Sequence, residues 1–140
     1  MSKSKIVSMP VFSLPVRVYF QDTDAGGVVY HANYLNFMER ARTEWLRTHG
    51  YSNAGLMKEL GVVFVVRSFK MEYLKPALLD DMLVVTAQIK DIGRSRITLS
   101  QTVLRDAELL NEAEVHLVCV SIKSFKPVSV PEVLRNQWNN

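Results

Sequence analysis

Asp22, Asp24 and His31 lie within a ten-residue span of the stretch YFQDTDAGGVVYHANYLNFMERARTEWLRTHG, which occupies positions 19–50. A carboxylate in such a setting attacks a carbonyl or takes a proton from water, and a nearby imidazole orients a substrate or hands over a proton near neutral pH. Gly26 and Gly27 let the backbone come close to a ligand. Tyr30 and Asn33 flank His31 and are candidate substrate contacts. Aspartate is also favoured in turns for its local hydrogen bonds alone, so residue type leaves Asp24 open between catalyst and turn residue. Asp22 is read as the structural member of the pair, accepting turn amides. One short acidic pair plus a histidine supplies too few ligands for a divalent cation, and no metal is expected.

These groups need elements to hold them. Residues 14–20 alternate and carry β-branched and aromatic side chains, which predicts a strand whose start Pro15 places at a sheet edge. From His31 the period changes: Tyr34, Phe37, Met38, Ala41 and Trp45 recur at steps of three or four, with Glu39, Arg40, Arg42, Glu44 and Arg47 on the other face. One long amphipathic helix of about 17 residues follows, its apolar stripe facing the core. His49 stands at its end and Gly50 is a left-handed cap. Ser52 caps a short second helix running to Leu60 and closed by Gly61. The rest is almost wholly β, with strands predicted at 62–73, 82–92, 95–104 and 113–123. Turn signals at Pro76 with Asp80 and Asp81, at Gly93, and from Asp106 to Asn111 separate them. Three of them follow one another with short connections, which predicts an antiparallel meander.

With 140 residues and 48% apolar composition, the chain is long enough for one domain with a real core and too short for two. The core is expected over about 12–127, with a polar, loosely held tail at 128–140. A net charge of +3 from 17 basic and 14 acidic residues, scattered along the chain, excludes a nucleic-acid groove but suits the phosphates of a small ligand. The single cysteine, Cys119, sits in an apolar run and reads as a buried inert thiol, which fits a reducing, cytoplasmic compartment. No apolar run approaches the ~18 residues of a membrane helix. Lys3 and Lys5 precede an apolar stretch like that of a signal peptide, but Pro10, Pro15 and Arg17 interrupt it and no small-residue cleavage site follows. His116 reads as a packing histidine, and Glu39 as an ion-pair partner of Arg42 or a solvated charge, with a second carboxylate as its functional alternative.

The segment YFQDTDAGGVVYHANYLNFMERARTEWL closely resembles the signature of the 4-hydroxybenzoyl-CoA thioesterase-like hotdog enzymes, and within them the YbgC family of acyl-CoA thioesterases associated with the Tol-Pal cell-envelope system. FVVRSFKMEYLKPALLDDML at 64–83 and LLNEAEVHLVCV at 109–120 extend the resemblance to residues 14–127. It implies an α+β hotdog fold, an antiparallel sheet wrapped around one long central helix, and hydrolysis of acyl-CoA to free acid and CoA. It implies further that Asp24 is nucleophile or general base and that His31 orients the thioester, assists water or protonates the thiolate. An amide at the helix N-terminus, that of His31 or its neighbours, would serve the oxyanion.

Arg94 and Arg96 match the strand connection whose arginines meet CoA phosphates in related enzymes. No cofactor is implied, since coenzyme A belongs to the substrate. The family pairs subunits so that sites lie between them, which implies a homodimer or homotetramer. Acyl carrier protein and phospholipid-synthesis enzymes are implied as further partners. Two other readings stay open: a hotdog β-hydroxyacyl dehydratase, and a partner-binding module with vestigial hydrolysis.

Overall fold

Between Asn33 and Arg47 the apolar side chains fall on one face, and that face is what the fold is wrapped around. In the computed structural model, which describes residues 11–138, the stretch forms helix α1 (Asn33–Arg47) and buries Tyr34, Phe37, Met38, Ala41, Trp45 and Leu46. At 1.5 Å per residue it is about 22 Å long, enough to cross a sheet. Gly50, at φ +90°, ends the turn that follows, a conformation that costs a residue with a Cβ but not glycine. Ser52 caps the next turn by accepting from the Gly55 amide at 2.9 Å. That turn, α2 (Asn53–Gly55), continues into a π turn at Leu56–Leu60 closed by Gly61 in the left-handed region.

Five antiparallel strands curve over α1 in the order β1-β3-β4-β5-β2. They are β1 (Phe12–Arg17), β2 (Val62–Tyr73), β3 (Met82–Ile92), β4 (Arg96–Arg105) and β5 (Glu108–Ser121). Alternation decides the faces. Leu83, Val85, Ala87 and Ile89 of β3, Ile97, Leu99 and Val103 of β4, and Ala113, Val115, Leu117 and Cys119 of β5 join the helix in one core. The opposite face carries Lys90, paired with Glu114 at 2.6 Å, and His116, which meets Glu114 and Thr98. Gln101 is one of the polar residues buried with the core. Its amide donates to Met38 O and Thr86 O, which ties the helix to the sheet.

β2 carries an irregularity that matters for its inner face. Val66 pairs with Leu117 and Ser68 with His116, so Arg67 is an extra residue. A bulge of this kind flips the side-chain parity. Phe64 and Val66 before it, and Phe69, Met71 and Tyr73 after it, therefore share the helix-facing side; without it Ser68, Lys70 and Glu72 would take that side.

Three expectations are corrected. The first strand occupies 12–17, not 14–20, because the Tyr19 amide donates to Asp22 Oδ2 at 2.8 Å and turns the chain into a 3₁₀ turn at Phe20–Asp22. β5 begins at Glu108 rather than 113, since the reversal needs only Asp106 and Ala107, both at positive φ. The tail expected to be loose folds into α3 (Glu132–Trp138), and the Trp138 ring stacks on Trp45 at 5.2 Å. Burial of one aromatic and of Leu134 outweighs the polar composition around them. The reading of Lys3 and Lys5 falls outside the described residues. Among the described residues no helix is long and apolar enough to cross a membrane.

Candidate active site

The loop that follows the 3₁₀ turn is closed on itself. Asp24 N–H donates to Val28 O (3.0 Å), Gly27 N–H donates to Asp24 O (3.1 Å), and Thr23 bridges Val29. Gly27, at φ +77°, supplies the left-handed step this needs. The loop is then strapped to a distant segment, with Val29 N–H donating to Ala77 O (2.9 Å) and Leu79 N–H donating to Gly27 O (3.0 Å). Asp22 is its buried anchor: Oδ2 accepts from Tyr19 N–H (2.8 Å) and Oδ1 from Asn33 Nδ2 (2.6 Å), which fixes the loop to the first residue of α1.

Asp24 stands exposed at the lip. Its Oδ1 accepts from the Gly26 amide at 2.9 Å, and Oδ2 has no partner among the described residues. Together with Val28, Val29, His31, Tyr34, Tyr73, Lys75 and Pro76, Asp24 lines a cleft of about 250 Å³.

Across the cleft is the start of α1. Asn33 N–H donates to Tyr30 O, Tyr34 N–H to His31 O and Leu35 N–H to Ala32 O. The amides of His31 and Ala32 find no acceptor among the described residues. They are the unpaired donors of a helix start, at the positive end of its macrodipole. The His31 ring packs on Tyr73 at 5.1 Å, and the Tyr73 hydroxyl donates to His31 O at 3.2 Å. Tyr34 Oη accepts from Ala77 N–H at 3.0 Å, and burial raises its pKa above the ordinary phenol value. A cation closes one side: Lys75 Nζ lies 2.5 Å from Glu108 Oε2. Arg105 holds Asp81 (2.7 Å), Glu108 (3.0 Å) and Pro76 O (3.3 Å). Hydrogen bonds from Lys75 and then Arg105 keep the Glu108 carboxyl below its usual pKa.

The structure therefore brings Asp24 and His31 to one cleft. Tyr30 is exposed at the cleft's outer edge, its ring 6.3 Å from that of His31. Asn33 is turned inward, its Nδ2 on Asp22 and its Oδ1 accepting from Asn36. Arg94 and Arg96 are not brought to the cleft. They sit at the start of β4, whose other end, Arg105, touches Pro76; nine residues of strand put about 30 Å between the two ends. Their hairpin is held instead by Arg135 of α3, which donates to Gly93 O and Arg94 O. Tyr73, Lys75 and Pro76 were not foreseen as site residues. Tyr34 carries a signal in retrospect, since it stands one helical turn after His31.

A strand, a carboxylate-bearing glycine loop and a long helix wrapped by an antiparallel sheet define a hotdog-fold thioesterase-type domain, and comparison with known proteins agrees. Residues 18–138 match the model of the thioesterase-like superfamily. An acyl-CoA thioesterase YbgC of Haemophilus influenzae is 44% identical over 129 residues, covering 92% of this chain and 95% of that protein. An acyl-CoA thioester hydrolase YbgC of Escherichia coli is 50% identical over 123 residues, covering 87% and 91%. The crystal structure of a probable thioesterase from Bartonella henselae superposes with a TM-score of 0.83 at 34% identity, covering 87% of this chain and 100% of that one. The chain belongs to the thioesterase-like superfamily, and within it to the YbgC family.

Proposed function

We propose that this chain hydrolyses acyl-CoA thioesters, with Asp24 supplying or activating the nucleophile and the first amides of α1 receiving the oxyanion. The observation that carries the reading is that Asp24 and His31 line one cleft, next to a helix start whose His31 and Ala32 amides have no acceptor among the described residues. The YbgC relatives, named for acyl-CoA thioester hydrolysis, supply the substrate class.

The chemistry follows from the placement. A thioester carbonyl laid at the helix start meets N–H donors where negative charge develops, an arrangement worth about 3 kcal/mol of barrier per donor in acyl-transfer enzymes. The Gly26 amide holds one Asp24 oxygen and leaves the other available. That oxygen either takes a proton from water, which adds to the carbonyl carbon, or adds itself and is released by water in a second step. In both cases a C–O bond forms and the C–S bond breaks. The CoA thiolate leaves and is protonated, with His31 beside it.

The protein acts as a dimer in this reading. β2 has a neighbour only on its β5 side among the described strands, and an open twelve-residue edge invites a second copy. Arg94 and Arg96 meet CoA phosphates only if a partner's cleft lies against them.

Thiol release from a panel of acyl-CoAs, by wild type and Asp24→Asn, tests the function. Hydrolysis that the variant loses while remaining folded supports it; unchanged rates in Asp24→Asn overturn the role of Asp24, and intact esters throughout overturn the thioesterase. Single turnover in ¹⁸O-water separates the two routes, because only a nucleophilic Asp24 takes up label.

A further inference from the structure

The loop that carries Asp24 is strapped through Ala77 O and Leu79 N–H, so the shape of the turn that bears those groups decides where the loop stands. That turn runs from Pro76 to Asp81. Asp80 within it sits at φ +70°, a conformation that costs a residue with a Cβ, and the turn therefore needs support from outside. One nitrogen closes it. Arg105 Nη1 donates to Pro76 O at 3.3 Å and to Asp81 Oδ2 at 2.7 Å, which joins the first residue of the turn to the last. The same Asp81 oxygen accepts from Leu78 N–H at 2.8 Å inside the turn. Arg105 Nη2 donates to Glu108 Oε1 at 3.0 Å, and Glu108 in turn takes Lys75 Nζ at 2.5 Å.

Lys75 and Pro76 line the reaction cleft, whereas Arg105 is not among the residues that line it. The guanidinium stands behind the wall, at the end of β4, and touches Pro76 directly and Lys75 through Glu108. Three acceptors on two sides suit a planar fork of fixed geometry and not the single point of an ammonium. The side chains of Arg105 and Asp81 are 24% and 20% exposed, so solvent and salt screen this pair less than a fully exposed one.

We infer that Arg105 is a positioning residue of the reaction: by clipping the 76–81 turn it holds the Asp24 loop at the cleft without itself meeting substrate. The inference rests on the thioesterase reading for the reaction and adds the group that frames it. Asp22 fixes the loop's first half to α1. Arg105 acts on the second half, Gly27 to Val29, through the strap. Loss of the clip leaves Asp24 in place chemically but misplaced for part of the time, which lowers turnover rather than binding.

Amide hydrogen exchange reads the clip with no substrate present. In Arg105→Met the N–H groups of Val29, Leu78 and Leu79 should exchange at least about tenfold faster, while those of Val85, Leu99 and Val115 in the sheet keep wild-type rates. Lys90→Met, which removes an ion pair from the opposite face of the sheet, should leave both sets unchanged. Wild-type rates at Val29, Leu78 and Leu79 in Arg105→Met overturn the clip. So does equal acceleration of strap and sheet, which is a loss of global stability.

Turnover reads the consequence. On the best-hydrolysed acyl-CoA of the panel, kcat should fall at least about tenfold in Arg105→Met with KM within about twofold of wild type. Arg105→Lys keeps the charge but reaches fewer acceptors, and should recover part of the loss. Asp81→Asn removes the other end of the clip, so the double variant Arg105→Met/Asp81→Asn should be no slower than the slower single variant. A change confined to KM, or single effects that multiply in the double variant, overturns the positioning role. If wild type hydrolyses no acyl-CoA, the thioesterase reading falls by itself, and the exchange rates still decide whether Arg105 clips the turn.

Discussion

At its N-terminal end α1 is positioned by hydrogen bonds, and at its C-terminal end by rings. Asp22 reaches both Tyr19 N–H and Asn33 Nδ2, and the 77–79 segment straps the loop that carries Asp24. At the other end Trp45, Trp138, His49 and Phe64 meet through ring faces and edges. Hydrogen bonds fix direction within narrow angular limits and leave unpaired donors where they stop. Ring packing contributes area and tolerates exchange between shapes of like volume. Reactivity is thus separated along one helix from this ring packing, and changes at the two ends should have different signatures.

The largest expected effect isolates the reactive end. Asp24→Asn keeps the shape and removes the charge, so thiol release should fall by about 10³-fold, while the urea midpoint stays within error because the side chain is exposed. A shifted midpoint would mean that Asp24 belongs to the framework. Trp138→Ala should do the reverse, costing about 3 kcal/mol of stability in denaturant titration and leaving butyryl-CoA hydrolysis at its wild-type kcat. Loss of that activity would show that the two ends are coupled.

Asp22→Ala bridges the two. Its carboxylate is 3% exposed and holds two donors, so about 2 kcal/mol of stability should be lost, with at least a tenfold fall in kcat/KM as Asp24 loses its frame. An activity loss without a stability loss would reassign Asp22 to the chemistry. The smallest effect is a pH dependence at the ring-packed end. Burial lowers the His49 pKa below its ordinary 6.5, against a raising hydrogen bond from Gln137. The unfolded chain therefore binds that proton more readily: the contribution of neutral His49 is complete above the unfolded value and declines as pH falls through it toward the folded value. His49→Gln should flatten that part of the stability–pH curve, and an unchanged slope would assign it to other groups.

Much of this was legible before any coordinates. The three- and four-residue spacing from Tyr34 to Trp45 specifies a helix because side chains at that spacing share one face, and the buried set is that stripe. Asp22 as an amide acceptor was readable from turn chemistry. The bulge at Arg67 was not, because the apolar run before it shows no alternation to break. Nor was α3, where a seven-residue helix between a proline and the chain end carries too few periodic positions to stand out from a polar tail.

Local order in the sequence determined the turn, the helix and the seven-residue interval between Asp24 and His31, since these depend on neighbours a few positions apart. Tyr73, Lys75 and Pro76 reach the cleft only when β2 and the turn after it fold back on the helix start, 42 residues away in the Tyr73–His31 contact. Chain closure likewise seats Trp138 on Trp45 and leaves Arg94 and Arg96 far from Asp24. Tertiary structure alone decided those placements, because contacts between distant residues follow from how the sheet curves around α1, and no local pattern records that curvature.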